Sequence, residues 1–176
     1  MKASNAALRN GVLAWPWFLL AAFVVLLDQY TKGLASSELA YARPVEIFSW
    51  FNLTLQHNTG AAFSFLSDAG GWQRWFFTVI ALVISIGLAI WLYVAPRSQW
   101  LLSLSLALIL GGAIGNVWDR MALGYVVDFI SVHYENHYFP AFNIADSAIT
   151  IGAIGMLLDS FVHRDGQVDD AGVREQ

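Results

Sequence analysis

The stretch Trp75–Tyr93, WFFTVIALVISIGLAIWLY, contains no charged residue. Roughly 20 apolar residues carry a helix across the hydrocarbon core of a bilayer, so this segment reads as a membrane span. Trp75 and Trp91 stand near its ends, where interfacial anchors belong. Pro96 stops it, and QWLLSLSLALILGGAIGNVW, Gln99–Trp118, supplies a second span within a few residues. So short a link makes the two a helical hairpin. Working outward, a first span begins near Val12 and runs through WPWFLLAAFVVLLDQYTKGL, and a last one runs from about Ala141 to Val162. The fold class is therefore mainly α and integral to the membrane: four transmembrane helices at about 12–34, 75–93, 99–118 and 141–162 in one domain, 1–165. The tail 166–176, rich in Asp, Gly and Arg, reads as disordered.

Composition agrees with this class. The chain is 57% hydrophobic and 12% charged, where soluble domains average about half and about a quarter. It has no cysteine, which removes disulfides, thiolate zinc sites and cysteine nucleophiles together. The basic residues are scattered and the net charge is −4, so no nucleic-acid surface is expected.

Four spans put both termini on one side. With the N-terminus cytoplasmic, Lys2, Arg9, Arg97, Arg164 and Arg174 face inward and Lys32, Arg43, Arg74 and Arg120 outward. The inward segments are much shorter, so their basic density is higher, which favours termini in the cytoplasm. The long connections 36–74 and 119–140 then lie outside. Lys2 and Arg9 before an apolar core also describe a signal peptide, with GLAS as a cleavage site. Against it, removal would leave an odd number of spans, and the apolar core passes straight into the polar DQYTK, so a retained helix is expected. In the first outer connection, FNLTLQHNTGAAFSF alternates apolar and polar residues around a Gly-containing turn. That pattern predicts a β-hairpin, part of a small sheet resting on the membrane. Gly111 and Gly115 form a GxxxG spacing that lets helices pack closely in lipid.

Ionisable residues at membrane depth are costly and usually face a cavity or a partner. Asp28 reads most simply as an i,i+4 pair with Lys32. Asn116, Asp119 and Arg120 read as a helix end with a local Asp–Arg pair. In FNIADSAI, Asn143 is a natural N-cap and Asp146 falls at the third helical position, so Asp146 closes a capping box with no further duty required. Asp128 is different. It follows two valines and precedes FISV, a strand-like apolar setting that gives a carboxylate no local partner. The chain re-enters the bilayer at 141–145, which brings Asp128 and Asp146 within reach of each other near the outer surface. Two adjacent carboxylates share a proton and titrate as a pair, the arrangement in which one acts as base on water and the other as acid on a peptide carbonyl. HYENH spaces His133 and His137 one helical turn apart, but it is not HExxH, and only His57 offers a third imidazole, so these histidines read as solvent-facing or interfacial rather than as metal ligands. The serine hydrolase pattern GxSxG is absent.

Five blocks in order, DQYTK at Asp28, HNTGAAFSF at Asn58, GGAIGNVWDR ending at Arg120, GYVVDFI around Asp128 and FPAFNIADSAI around Asp146, resemble lipoprotein signal peptidase, the bacterial signal peptidase II family. The resemblance spans the first helix to the last. It implies an aspartic endopeptidase of the bacterial cytoplasmic membrane that removes the signal peptide of diacylglyceryl-modified prolipoproteins just before the lipidated cysteine. It implies no metal or organic cofactor, and inhibition by globomycin-type cyclic peptides. The family's catalytic pair falls on Asp128 and Asp146, and its supporting residues on Asp28, Lys32, Asn58, Asn116, Asp119, Arg120 and Asn143. Gly60, with Ala61 and Ala62, leaves room beside the site. The family fold adds a β-cradle between the first two helices. Two other classes compete on the residues alone: a small transporter, which usually shows paired repeats with broken helices, and a lipid-binding assembly protein, which has no use for two converging aspartates.

Overall fold

The computed structural model describes residues 8–59 and 72–172. Four helices carry the fold: α1 (Trp15–Glu38), entered through a 3-10 turn at Gly11–Ala14, α2 (Trp72–Val94), α3 (Trp100–Ala122) and α4 (Ile144–Gly172). Each contains a stretch long and apolar enough to cross a membrane: Gly11–Glu38, Arg74–Val94, Trp100–Ala122 and Ile144–Val162. Helix α4 continues past its apolar stretch to Gly172, into the segment that the sequence assigns to the tail.

Helix α3 is the axis of the bundle, with 61% of its apolar window buried against 22–28% for the other three. Its small residues make that position possible. A side chain added at Gly111 would lie 2.7 Å from the Ala21 carbonyl of α1, and one at Gly115 would lie 2.6 Å from Asp28 Oδ2. The GxxxG spacing is thus the seat of α1. On α4, a side chain at Gly152 would meet the Ser105 carbonyl at 2.7 Å, so α4 also packs backbone to backbone on α3. Leu88, Leu92, Leu102, Leu106 and Leu110 fill the space between α2 and α3. Val79, Val83, Ile86 and Ile90 of α2 point away from the bundle, as side chains facing lipid do.

At the opposite end from the α2–α3 link, the connections form one antiparallel sheet of β1 (Val45–Phe48), β2 (Phe51–Asn58), β3 (Val126–Tyr134) and β4 (His137–Tyr138), in that order. The sequence places a hairpin turn at Gly60. Among the described residues, β2 instead pairs with β1 before it and β3 far after it, with Gln56 opposite Asp128 and Asn58 opposite Val126. Residues 60–65 lie outside the described residues. The sheet therefore draws on both connections, β1 and β2 from between α1 and α2, β3 and β4 from between α3 and α4. This central pairing fixes where Asp128 stands.

Candidate active site

The aspartates are delivered by different devices. Asp128 is held by the β2–β3 ladder and is buried. Its Oδ2 accepts from Asn58 Nδ2 at 3.0 Å and its Oδ1 from Asn143 Nδ2 at 2.7 Å. Asp146 is held by the start of α4. Asn143 is the N-cap: its Oδ1 accepts from the Asp146 N–H at 2.9 Å, while Asp146 Oδ2 accepts from the Asn143 N–H at 3.3 Å, the reciprocal pairing of a capping box. Because the same Asn143 side chain donates to Asp128, the cap also ties the two carboxylates together. Its remaining contacts, with Val127 O at 3.2 Å and Asn116 Oδ1 at 3.3 Å, lock the ring of partners around it. Asn116 completes the ring by donating to Asp146 Oδ1 at 2.8 Å.

Beneath lies a buried ionic cluster. Lys32 Nζ meets Asp28 Oδ2 at 2.8 Å, Asp119 Oδ2 at 3.0 Å and Asn116 Oδ1 at 2.9 Å, which gives each of an ammonium's three N–H groups a partner. Asp28 also accepts the Ala145 N–H at 2.9 Å, and Asp119 accepts the Val127 N–H at 3.0 Å. The first bond caps α4 beside Asp146. The second pins β3 beside Asp128. The expected Asp119–Arg120 pair is thus replaced: α3 continues to Ala122, Asp119 turns to Lys32 of α1, and Arg120 Nη1 reaches the Asn116 carbonyl at 3.4 Å. The Arg120 guanidinium remains close enough to Asp146, Asp128 and Asp119 for their charges to interact.

The two aspartates differ in burial. Burial, and next the charge of Asp146, push the Asp128 carboxyl up to about 6, while the bonds from Asn58 and Asn143 pull the other way. Asp146 is only half-buried and stands in the first turn of α4. It borders a cavity of about 370 Å³ shared with Phe139, Phe142, Ser147, Thr150 and Ile151.

Of the residues singled out in sequence, Asp28, Lys32, Asn58, Asn116, Asp119, Asp128, Asn143 and Asp146 belong to one connected set of hydrogen bonds, and Arg120 borders it. Gly60 lies outside the described residues. Gln29 is an addition: its Nε2 donates to Asp119 Oδ1 at 2.8 Å and to Asp28 Oδ2 and Gly115 O, each at 3.2 Å. Its signal was its place inside DQYTK. His133 and His137 sit on the two arms of the β3–β4 hairpin, not on a helix, and the His133 ring stacks on Tyr138. Among the described residues no group of three His, Cys, Asp or Glu side chains is arranged to hold a metal ion.

The model of the family Signal peptidase (SPase) II matches residues 20–162. The chain belongs to the signal peptidase II family. It is accordingly a peptidase. Two relatives named lipoprotein signal peptidase are close to it: one from Acinetobacter baumannii is 58% identical over 145 residues, covering 82% of each chain. Another, from Pseudomonas putida, is 54% identical over 158 residues, covering 89% of this chain and 91% of its own. Two solved structures described as a bacterial membrane enzyme share the fold. One, at 34% identity, has a TM-score of 0.73 over 81% of this chain and 90% of its own, and the other, at 32%, has 0.75 over 86% and 90%. The helices, sheet and ionic cluster described above all fall within the matched signal peptidase II region, apart from the ends of α1 and α4.

Proposed function

We propose that this peptidase cleaves diacylglyceryl-modified prolipoproteins before the lipidated cysteine, with Asp128 and Asp146 as a dyad that activates water. The observation that carries the reading is the Asn143 bridge, which joins the buried Asp128 to a half-buried Asp146 at the edge of a cavity. Asp146, as the ionised partner, takes a proton from water as the oxygen attacks the scissile carbonyl. Asp128 gives its proton to the carbonyl oxygen. Collapse of the tetrahedral intermediate breaks the C–N bond as Asp128 takes back a proton from the gem-diol hydroxyl, and the proton held by Asp146 goes to the departing amine. Asn58 and Asn143 orient Asp128, Asn116 and Asn143 orient Asp146, and the Asp28–Lys32–Asp119 cluster fixes the elements that carry them. Arg120 offsets the negative charge, and Gly60 keeps the approach open. No cofactor takes part, and globomycin-type cyclic peptides occupy the same site.

The chain resides in the bacterial cytoplasmic membrane with both termini in the cytoplasm, so the sheet and the dyad lie at the outer face, where a lipidated precursor presents its cleavage site. Asparagine keeps the size of aspartate but cannot exchange the proton. Asp128→Asn and Asp146→Asn each therefore lower turnover of a diacylglyceryl precursor on the order of 10³-fold or more, and the double variant is scarcely worse, because the two act as one unit. Purified protein in detergent decides the matter. Either single variant retaining activity within about tenfold of the parent refutes the dyad.

A further inference from the structure

Pro96 follows the end of α2, and a proline carries no N–H, so the Leu92 carbonyl four residues back loses the donor that a continuing helix supplies. Asn10 fills that place from the far end of the chain. Its Nδ2 donates to Leu92 O at 3.1 Å and to Ser103 Oγ at 2.9 Å, and its N–H donates to Ala95 O at 2.8 Å. The Arg97 N–H closes this clasp on Leu8 O at 2.8 Å, with Arg9 and Pro96 bridged across it. Asn10 is buried, whereas Arg9 and Arg97 beside it are exposed. Arg97 Nε donates to the Arg9 carbonyl at 2.9 Å, which lays one guanidinium against the residue that bears the other.

Two like charges are thus gathered by a fixed backbone with no counter-charge. Among the described residues both ion pairs belong to Lys32, and the first turns of α1 and α3, the helices that start at this end, contain no acidic residue. We propose that Arg9 and Arg97 form a site for the phosphate of an anionic phospholipid, in the leaflet on the side of the termini. Depth favours a lipid over a soluble anion. The apolar stretches begin at Gly11 and Trp100 and end at Val94, so both arginines stand just outside the hydrocarbon. Trp15, Trp91 and Trp100 are exposed at the same end, as an aromatic belt at headgroup level is, and lipid phosphates lie at that level. With Nε tied to Arg9, Arg97 offers its two Nη groups, and a guanidinium fork matches phosphate oxygens in a bidentate manner. A zwitterionic lipid brings its own cation to the phosphate, so a lipid of net negative charge is the better match to two unpaired arginines.

Native mass spectrometry of the full chain in detergent, titrated at fixed low salt with phosphatidylglycerol or with phosphatidylcholine of the same acyl chains, reads the site. The parent binds one phosphatidylglycerol about tenfold or more tighter than phosphatidylcholine. Arg9→Gln and Arg97→Gln each weaken that binding about fivefold. Arg43→Gln, which removes an exposed arginine from the opposite end of the bundle, leaves it unchanged. Both arginine side chains are exposed, so the glutamine variants keep the clasp and the fold. Arg97→Lys keeps the charge but gives up the fork and the Nε bond, and it too weakens binding, by about threefold or more. Equal affinity for the two lipids overturns the proposal, as does an equal loss from Arg43→Gln and Arg97→Gln. A lysine variant that binds as tightly as the parent reduces the site to diffuse attraction and overturns it also. Inorganic phosphate that binds the lipid-free protein as tightly as phosphatidylglycerol does makes the ligand a free anion, which again refutes the lipid site. None of these outcomes depends on the dyad, since neither arginine touches it.

Discussion

Replacing Asp28 by alanine separates the scaffold of the site from its chemistry. Asp28 is fully buried and contacts neither Asp128 nor Asp146; its oxygens serve Lys32, Gln29 and the Ala145 N–H. Removing one member of a buried ion pair costs about 3–5 kcal/mol when the survivor is left alone. Lys32 is not left alone, since Asp119 and Asn116 still hold it, so the ionic share sits at or below the lower end of that range. The Ala145 N–H, however, becomes a buried donor without an acceptor, at about 1–3 kcal/mol. The sum is about 4 kcal/mol, which for a chain of this size lowers the unfolding temperature by roughly 10 °C. Asp28→Asn keeps an acceptor for Ala145 and loses about half as much. Turnover per folded molecule stays within about tenfold of the parent in both. The assay is thermal unfolding in detergent beside turnover normalised to the folded fraction. A variant of normal unfolding temperature with abolished turnover would place Asp28 in the chemistry and refute this reasoning.

Other outcomes follow from the same contacts. Asp128 holds its proton to about pH 6, against an ordinary value of 3.8, so the folded state binds that proton more tightly than the unfolded chain does. The stability this contributes is full below about pH 4 and is lost as pH rises to about 6, and unfolding measured across that window flattens in Asp128→Asn. Turnover of the free enzyme falls as pH climbs past about 6, where the acid is lost. Gly115→Ala puts a methyl group against Asp28 Oδ2, whose neighbours leave it no room to retreat, and lowers the unfolding temperature by more than Gly33→Ala, where the space is open. For the topology, cysteines at the exposed Ser49 and Ser98 report opposite sides: an impermeant thiol reagent labels only Ser49→Cys in intact cells, and the reverse pattern inverts the membrane orientation.

Much of this architecture was legible in the sequence because hydropathy and capping are local properties. The four spans need only unbroken apolar runs, and the Asn143–Asp146 box needs only a spacing of three. Asp128 was legible by contrast, a carboxylate stranded in a strand-like apolar run. What the sequence did not reveal depends on how helices are rotated against each other. Asp119 and Arg120 are adjacent, so a local pair is the natural reading; rotation of α3 turns Asp119 toward Lys32 on α1 instead. Gln29 lacks a charge to mark it, and its three partners lie on two helices. The pairing of β2 with β3 joins segments some 70 residues apart, and alternation of polar and apolar residues says that a strand exists without saying what lies beside it.

The closeness of Asp28 and Lys32, one turn apart on α1 and 2.8 Å between charges, matters before the protein has folded. A single acidic or basic group at the centre of an inserting helix costs about 2.5–3.5 kcal/mol, and chains emerge from the ribosome N-terminus first. When α1 enters the bilayer, α3 with Asp119 and Asn116 and α4 with the Ala145 N–H have yet to be made. Lys32 has one available counter-charge at that moment, and it is carried on the same helix. The pair therefore crosses into lipid as a neutral unit, and only the later arrival of α3 and α4 draws it into wider company. An ion pair that serves the mature enzyme as a foundation thus serves the nascent chain as a means of passage.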